Sequence, residues 1–235
     1  MVSAVTLLKK SLSVNDSVID SLNFSEDEYG VTSLHVYLHP RKSHSNRCPV
    51  CGKRCPVYDR SLVYHKWRGL DLGGIMVELF SHTQRVCCKE HGIKTASVPW
   101  SYPGSRFTKD FDMTATFLAM NINRKVASEY LRCDWHTIMR CISRARSVLE
   151  PDIKKRYDGL VNIGIDETSY RKGHNYVTTV VNHDTNSIVW CAKGHSTEVL
   201  SKFFEELSDE QRKSIQSVSG DGAKWIDACI EKYIP

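Results

Sequence analysis

GIDETSYRKGHNYVTTVV, residues 164–181, is the stretch on which the fold turns. Before it, the run LVNIGID (160–166) is apolar and β-branched and closes on an acid, Asp166. RKGHN turns the chain, and YVTTVVN (176–182) brings it back as a second strand. HDTN makes another turn into SIVWCA (187–192), a third strand. TEVLSKFFEEL (197–207) is amphipathic, with Val199, Phe203, Phe204 and Leu207 forming one stripe. QSVSGD (216–221) reads as a fourth strand ending on a second acid, Asp221, before the helix AKWIDACIEKY (223–233). The order is therefore β-β-β-α-β-α.

That order describes the start of an RNase H-like fold, in which the first and fourth strands lie side by side. Asp166 and Asp221 would then converge. Two such carboxylates can hold Mg²⁺ or Mn²⁺ ions that act on a phosphodiester, one activating a nucleophilic oxygen and one stabilising the leaving oxygen. The chemistry needs a third carboxylate. Glu167 follows Asp166 directly and is expected on the opposite face of the strand. Glu231 lies on the last helix and is expected to be exposed.

Upstream, charge is unevenly distributed. Residues 1–30 carry 2 basic and 5 acidic side chains, residues 31–157 carry 22 and 10, and residues 158–235 carry 8 and 12. The basic middle predicts a polyanion-binding module ahead of a different kind of domain. No run approaches the roughly 18–20 apolar residues that cross a bilayer, and MVSAVTLLKKSLSV lacks the pattern of a secretory signal. A cytoplasmic protein with no membrane partner is expected, and its nine cysteines then favour metal binding over a disulfide framework.

CPVCGKRC (48–55) is a tight Cys-x-x-Cys turn, and RVCCKEHG (85–92) offers a second x-x cluster after a strand-like run over 74–86. Cys48, Cys51, Cys88 and His91 form the expected zinc set, with Cys87 as the alternative to Cys88. Such a closed site would be structural and would fold a small zinc ribbon. An earlier run, VTSLHVYLH (31–39), alternates as a strand.

ASEYLRCDWHTIMRCISR (127–144) fits two helices joined by a short turn. A preceding helix carries Phe111, Ala115, Leu118 and Ile122 at helical spacing. Asp134 would cap the last helix, whose expected buried stripe is Ile138, Cys141, Ile142, Ala145 and Leu149, with Pro151 closing it. His136, Thr137, Arg140 and Arg144 would share an outward face for base edges in a major groove, flanked by Arg132 and Arg146 on phosphates.

RCPVCGKRCPVYD, WRGLDLGGIMVEL, RVCCKEHGIKTASVPW, YLRCDWHTIMRCI, IGIDETSYRKGHNYVTTVV and SGDGAKWIDA together resemble the DDE transposases of bacterial insertion sequences, of the ISL-three type. The resemblance runs from about residue 31 onward, in the family's order. It implies a multidomain α+β protein: an N-terminal β segment (1–45), a zinc ribbon (46–104), a helix-turn-helix (105–157) and an incomplete RNase H-like domain (158–235). It also implies binding to double-stranded DNA at the element's terminal inverted repeats, a nucleoid-associated protein, and a homodimer as one assembly. Asp166 and Asp221 would be the first two acids of the DDE triad. The family's glutamate lies in a later helical region, beyond Pro235, so a truncated transposase that keeps DNA binding but not cleavage is expected. The competing expectation is a non-enzymatic DNA-binding regulator, for which the two acids have no role.

Overall fold

The computed structural model describes residues 2–173 and 175–234, which divide into two compact units at Pro151/Asp152. In the first unit, a short helix α1 (Ala4–Ser11) precedes five strands: β1 (Ser17–Glu26), β2 (Thr32–Pro40), β3 (Val57–Arg68), β4 (Met76–Cys88) and β5 (Gly92–Thr95). They form one sheet in the order β1-β2-β4-β3, with β5 also paired to β4. β1 and β2 are an antiparallel hairpin, but β2 pairs in parallel with β4 (Leu34 opposite Val77, Val36 opposite Leu79). The first 45 residues therefore share a sheet with the zinc-ribbon strands. Alternation in β2 does what its sequence predicts: Leu34, Val36 and Leu38 are buried against Val77, Leu79 and an edge-to-face pair, Trp67 and Trp100, 5.6 Å apart.

Three helices follow: α2 (Lys109–Asn121), α3 (Arg124–Tyr130) and α4 (Trp135–Leu149). Each begins at a side-chain cap: Thr108 accepts from the Phe111 amide at 3.2 Å, Asn123 from Lys125 at 2.8 Å and Asp134 from His136 at 2.7 Å. Phe111, Ala115, Leu131, Ile138 and Cys141 form the cluster between them, and Ala127 is fully buried in α3. Two expected core positions are not in it. Ile122 and Leu149 are 40% and 47% exposed, because each lies at the end of its helix, past the stretch that the neighbouring helices cover.

Asp112 of α2 is fully buried, and Arg144 of α4 grips it with Nε and Nη2 at 2.7 Å each; Ser105 Oγ donates to the same carboxylate at 3.3 Å. A buried bidentate pair persists because each charge would be stranded without the other. The carboxylate holds the guanidinium protonated above its ordinary range.

The second unit starts with a 3₁₀ turn (Ile153–Tyr157) and continues with β6 (Asn162–Arg171), β7 (Asn175–Asn182), β8 (Ser187–Lys193), α5 (Thr197–Glu206), α6 (Asp209–Ser214), β9 (Ser217–Ser219) and α7 (Lys224–Tyr233). The sheet order is β8-β7-β6-β9, antiparallel except for the β6–β9 pair. Ile163, Ile165 and Val180 bury one face under Leu200, Phe203 and Phe204 of α5 and Ile226 and Cys229 of α7. The other face carries Asp166, Thr168 and Cys191, all exposed. Helix α6 was not foreseen, although Ser208 and Gln211 form a complete capping box, whose Ser-x-x-Gln spacing is visible in the sequence.

Removing one partner of the buried pair tests its weight. Asp112→Ala is expected to lower the stability of the first unit by about 3–5 kcal/mol, measured by urea unfolding followed through tryptophan fluorescence.

Candidate functional site

Two turns converge at one end of the first unit's sheet. Cys48 and Cys51 lie on a turn closed by the Gly52 amide donating to the Cys48 carbonyl at 2.9 Å. Cys88 ends β4, and His91 sits in the turn before β5. Cys51 and Cys88 sulfurs are 3.8 Å apart, and His91 Nδ1 lies 3.8 Å from Cys48 Sγ and 3.5 Å from Cys88 Sγ. All four ligand atoms fall within 4.8 Å of one another. A tetrahedron built on zinc–sulfur bonds of about 2.3 Å and zinc–nitrogen bonds of about 2.0 Å has edges of roughly 3.5–3.8 Å. The donor set and its spacing thus fit a structural zinc ion. Backbone amides of Glu90 and then His91 help hold the Cys88 thiol down to about 7, and the Cys51 amide lowers Cys48.

The choice between adjacent cysteines is made by strand alternation. In β4 Cys88 is buried toward the cluster, whereas Cys87 is exposed on the other side. Cys55 is buried nearby, but its thiol is pushed up by burial and donates to the Lys53 carbonyl at 3.4 Å, so it stands outside the ligand set.

On α4, His136 and Arg140 are exposed and Thr137 is half-buried. The His136 ring packs on Trp135 with centroids 3.6 Å apart, and the Arg124 guanidinium lies over Trp135 at 5.9 Å. Arg146 is exposed, 4.0 Å from Glu150 one turn on. Two arginines expected on this surface are engaged elsewhere. Arg144 turns inward because Asp112 is the one buried carboxylate its helix faces. Arg132 adopts φ +51° after α3, and its guanidinium pairs with Asp71 in the β3–β4 connection.

In the second unit, Asn162, Ile163 and Gly164 pair in parallel with Ser217, Val218 and Ser219. Asp166 and Asp221 each lie two residues beyond that ladder. The chain stays close there: a Cβ on Gly220 would meet the Ile165 carbonyl oxygen at 3.5 Å. Gly222, at φ +78°, then turns the chain into α7, with the Asp221 carboxylate accepting from the Ala223 amide at 3.1 Å. Asp166 was expected at the end of its strand; instead β6 continues to Arg171, because β7 goes on pairing with it after β9 has stopped. Glu167 is on the core face, opposite fully buried Thr178, as alternation demands. Among the described residues, no third acid joins the two aspartates; the Cys/His set is the one metal-like cluster.

One neighbour of the acids escaped the sequence reading. His183 Nε2 and Ser219 Oγ are 2.8 Å apart above Gly164, where a Cβ would lie 2.6 Å from the imidazole. Gly164 therefore permits a histidine to come close against the sheet face that bears Asp166. Only the invisible requirement for a missing Cβ could have signalled it.

The zinc geometry separates two cysteines cleanly. Cys88→Ser is expected to lose the metal and Cys87→Ser to keep one zinc per chain, as read by metal analysis of the purified proteins.

Three comparisons bear on this arrangement. Residues 44–91 match a zinc-finger of transposase IS204/IS1001/IS1096/IS1165, residues 96–146 a helix-turn-helix domain of transposase family ISL3, and residues 163–235 the ISL3 transposase domain of DDE type. The chain is 35% identical over 98% of its length to the transposase for insertion sequence element IS1557 of Mycobacterium tuberculosis (strains CDC 1551 and H37Rv). It is 27% identical over 86% of its length to the transposase for IS1001 of Bordetella parapertussis. It spans about half the length of these curated relatives, 52% and 49%. No solved structure matches. With the zinc cluster, the helix-turn-helix and the DDE-type sheet matched in one order along one chain, the protein belongs to the ISL3 family of insertion-sequence transposases.

Proposed function

We propose that this chain carries the DNA-recognition modules, and two of the catalytic acids, of an insertion-sequence transposase. The observation that supports this reading most is the parallel pairing of β6 with β9, two residues beyond which come Asp166 on one segment and Asp221 on the other. In this reading the bound duplex is the element's terminal inverted repeat. Helix α4 enters the major groove with His136, Thr137 and Arg140 at base edges, and Arg146 reaches the backbone. Arg144 and Arg132 serve indirectly, the first by locking α4 to α2 and the second by tying the turn before α4 to Asp71.

Asp166 and Asp221 supply the hard oxygen ligands that Mg²⁺ or Mn²⁺ prefers. When bound, such an ion would activate a nucleophilic oxygen toward a phosphodiester. With no third carboxylate beside them among the described residues, two acids hold the ion weakly and support little strand cleavage. A homodimer bringing two element ends together on the bacterial nucleoid is the corresponding assembly. Among the described residues no helix is long and apolar enough to cross a membrane.

The same two-acid site favours a second reading, a DNA-binding regulator of transposition that does not cut. Both readings are tested by selection from a randomised duplex pool. The wild-type chain is expected to enrich one sequence, and Arg140→Ala to relax it at one position, with a loss of about 1–3 kcal/mol in discrimination. Failure to enrich any sequence would sink both readings. Asp166→Ala/Asp221→Ala should leave the enriched sequence unchanged. Nicking of that sequence by the wild-type chain in Mn²⁺, lost in the double variant, would overturn the regulator reading and the expectation of little cleavage.

A further inference from the structure

The first unit holds a second candidate surface that no helix contributes to. Between β3, β4, β5 and the segment 94–106 runs a cleft of about 550 Å³, lined among others by His65, Lys66, Lys94 and Arg106. It shares Thr83, Ala96, Ser97 and Val98 with a neighbouring cleft of about 460 Å³, lined by Lys42, Arg54 and Arg60. A third, of about 310 Å³, joins the two through Arg60, Thr83 and His65. The three clefts adjoin at Thr83, which lines each of them, and form one grooved surface.

Its lining is one-sided in charge. Neither larger cleft is lined by an Asp or Glu among the described residues, and the third contributes only Asp59, which Arg85 already pairs. Lys66 is partnered by Glu78. Arg60, Lys94 and Arg106 are exposed and have no ion-pair partner among the described residues. Three unpaired cations around a concave wall whose one carboxylate among the described residues, Asp59, is already paired repel one another unless an anion lies between them.

The aromatic lining decides which anion. Trp67 is buried edge-on against Trp100, the Tyr64 ring packs on His82 with centroids 3.9 Å apart, and Lys109 lies over Tyr102 at 5.8 Å. Tyr64 is about half exposed but packs on His82, and Trp67 is buried, so the rings offer less to unpaired bases, which single-stranded nucleic acid stacks, than the cations offer to a phosphate backbone. What remains is charge, and charge alone reads the sugar-phosphate backbone.

We propose that this groove is a second DNA-binding site, a clamp for the phosphodiester backbone of duplex DNA that acts alongside the recognition helix and carries no sequence preference. The proposal rests on the reading of the chain as a DNA-binding protein. The helix-turn-helix selects the site, and the sheet groove holds the flanking duplex.

The experiment compares the zinc-loaded full chain with Arg60→Gln/Lys94→Gln/Arg106→Gln. Fluorescence anisotropy measures binding to a duplex of arbitrary sequence between 50 and 200 mM salt, conditions over which phosphate contacts dominate, each contributing about 0.9 to the logarithmic salt slope. Zinc content and circular dichroism check that the triple variant is folded. The expected result is weaker binding to every duplex alike and a salt slope shallower by up to about 2.7, three contacts' worth. A folded triple variant with the wild-type affinity and slope overturns the groove while leaving the helix-turn-helix reading intact. A wild-type chain that binds no duplex overturns that reading itself. A single strand of equal length that competes better than the duplex overturns the choice of occupant.

Discussion

The convergence of Cys48, Cys51, Cys88 and His91 is the constraint on which the first unit depends. The apolar cluster around it holds only Cys48, Cys55, Val86 and Cys88, with Cys51 and Ala96 beside them. That is too little buried surface to hold a chain end in place, since each buried methylene contributes only about 0.8 kcal/mol. Four ligands on one ion do the work of a core there. They join the turn before β3 to the turn after β4. From that anchored end β4 runs through the sheet as its common member, pairing with β2, β3 and β5 in turn. The wall of the basic groove is built on the same strands, so its shape depends on the metal as well.

A second constraint, the Asp112–Arg144 pair, ties α4 to α2. The exposed face of α4 keeps His136 and Arg140, while one arginine is withdrawn to satisfy a carboxylate that the core has swallowed. Net charge alone does not distinguish these uses. Of the arginines that read as DNA-facing, Arg144 and Arg132 neutralise acids of their own unit, and Arg140 remains without one among the described residues. The unpaired positive surface around the helix is thus smaller than the residue count suggests. It is larger on the sheet, where Arg60, Lys94 and Arg106 lie far apart in sequence.

In the second unit, a ladder of three residues between β6 and β9 does the positioning. Parallel pairing aligns the two chains in the same direction, so equal offsets beyond the ladder bring Asp166 and Asp221 to the same end of the sheet. α5 and α7 cover one face of the sheet with Leu200, Phe203, Phe204 and Ile226. Asp166 lies on the sheet face opposite that apolar cover, the face on which the His183 imidazole approaches Gly164.

Local pattern determined a good deal by itself. Period-two alternation gave β2, a β-branched run between two turns gave β7, the Asp134 cap and the Ile138 stripe gave α4, and two x-x spacings gave the metal ligands, because each signal lies within a few residues and the physics behind it is local. The order of strands in the second unit was legible for the same reason, and the RNase H-like order carried with it the expectation that β6 and β9 pair, as they do. Tertiary structure alone decided the rest. It closed off Cys87, which the spacing had left as the alternative to Cys88, by placing the two on opposite faces of β4. It turned Arg144 inward, because the buried Asp112 that attracts it lies 32 residues away. It joined β2 to β4, folded β1 onto the sheet, and assembled cations from three separate segments into one groove. Each of these outcomes depends on contacts between distant residues, whose energies are comparable to the local ones but leave no periodic mark on the chain.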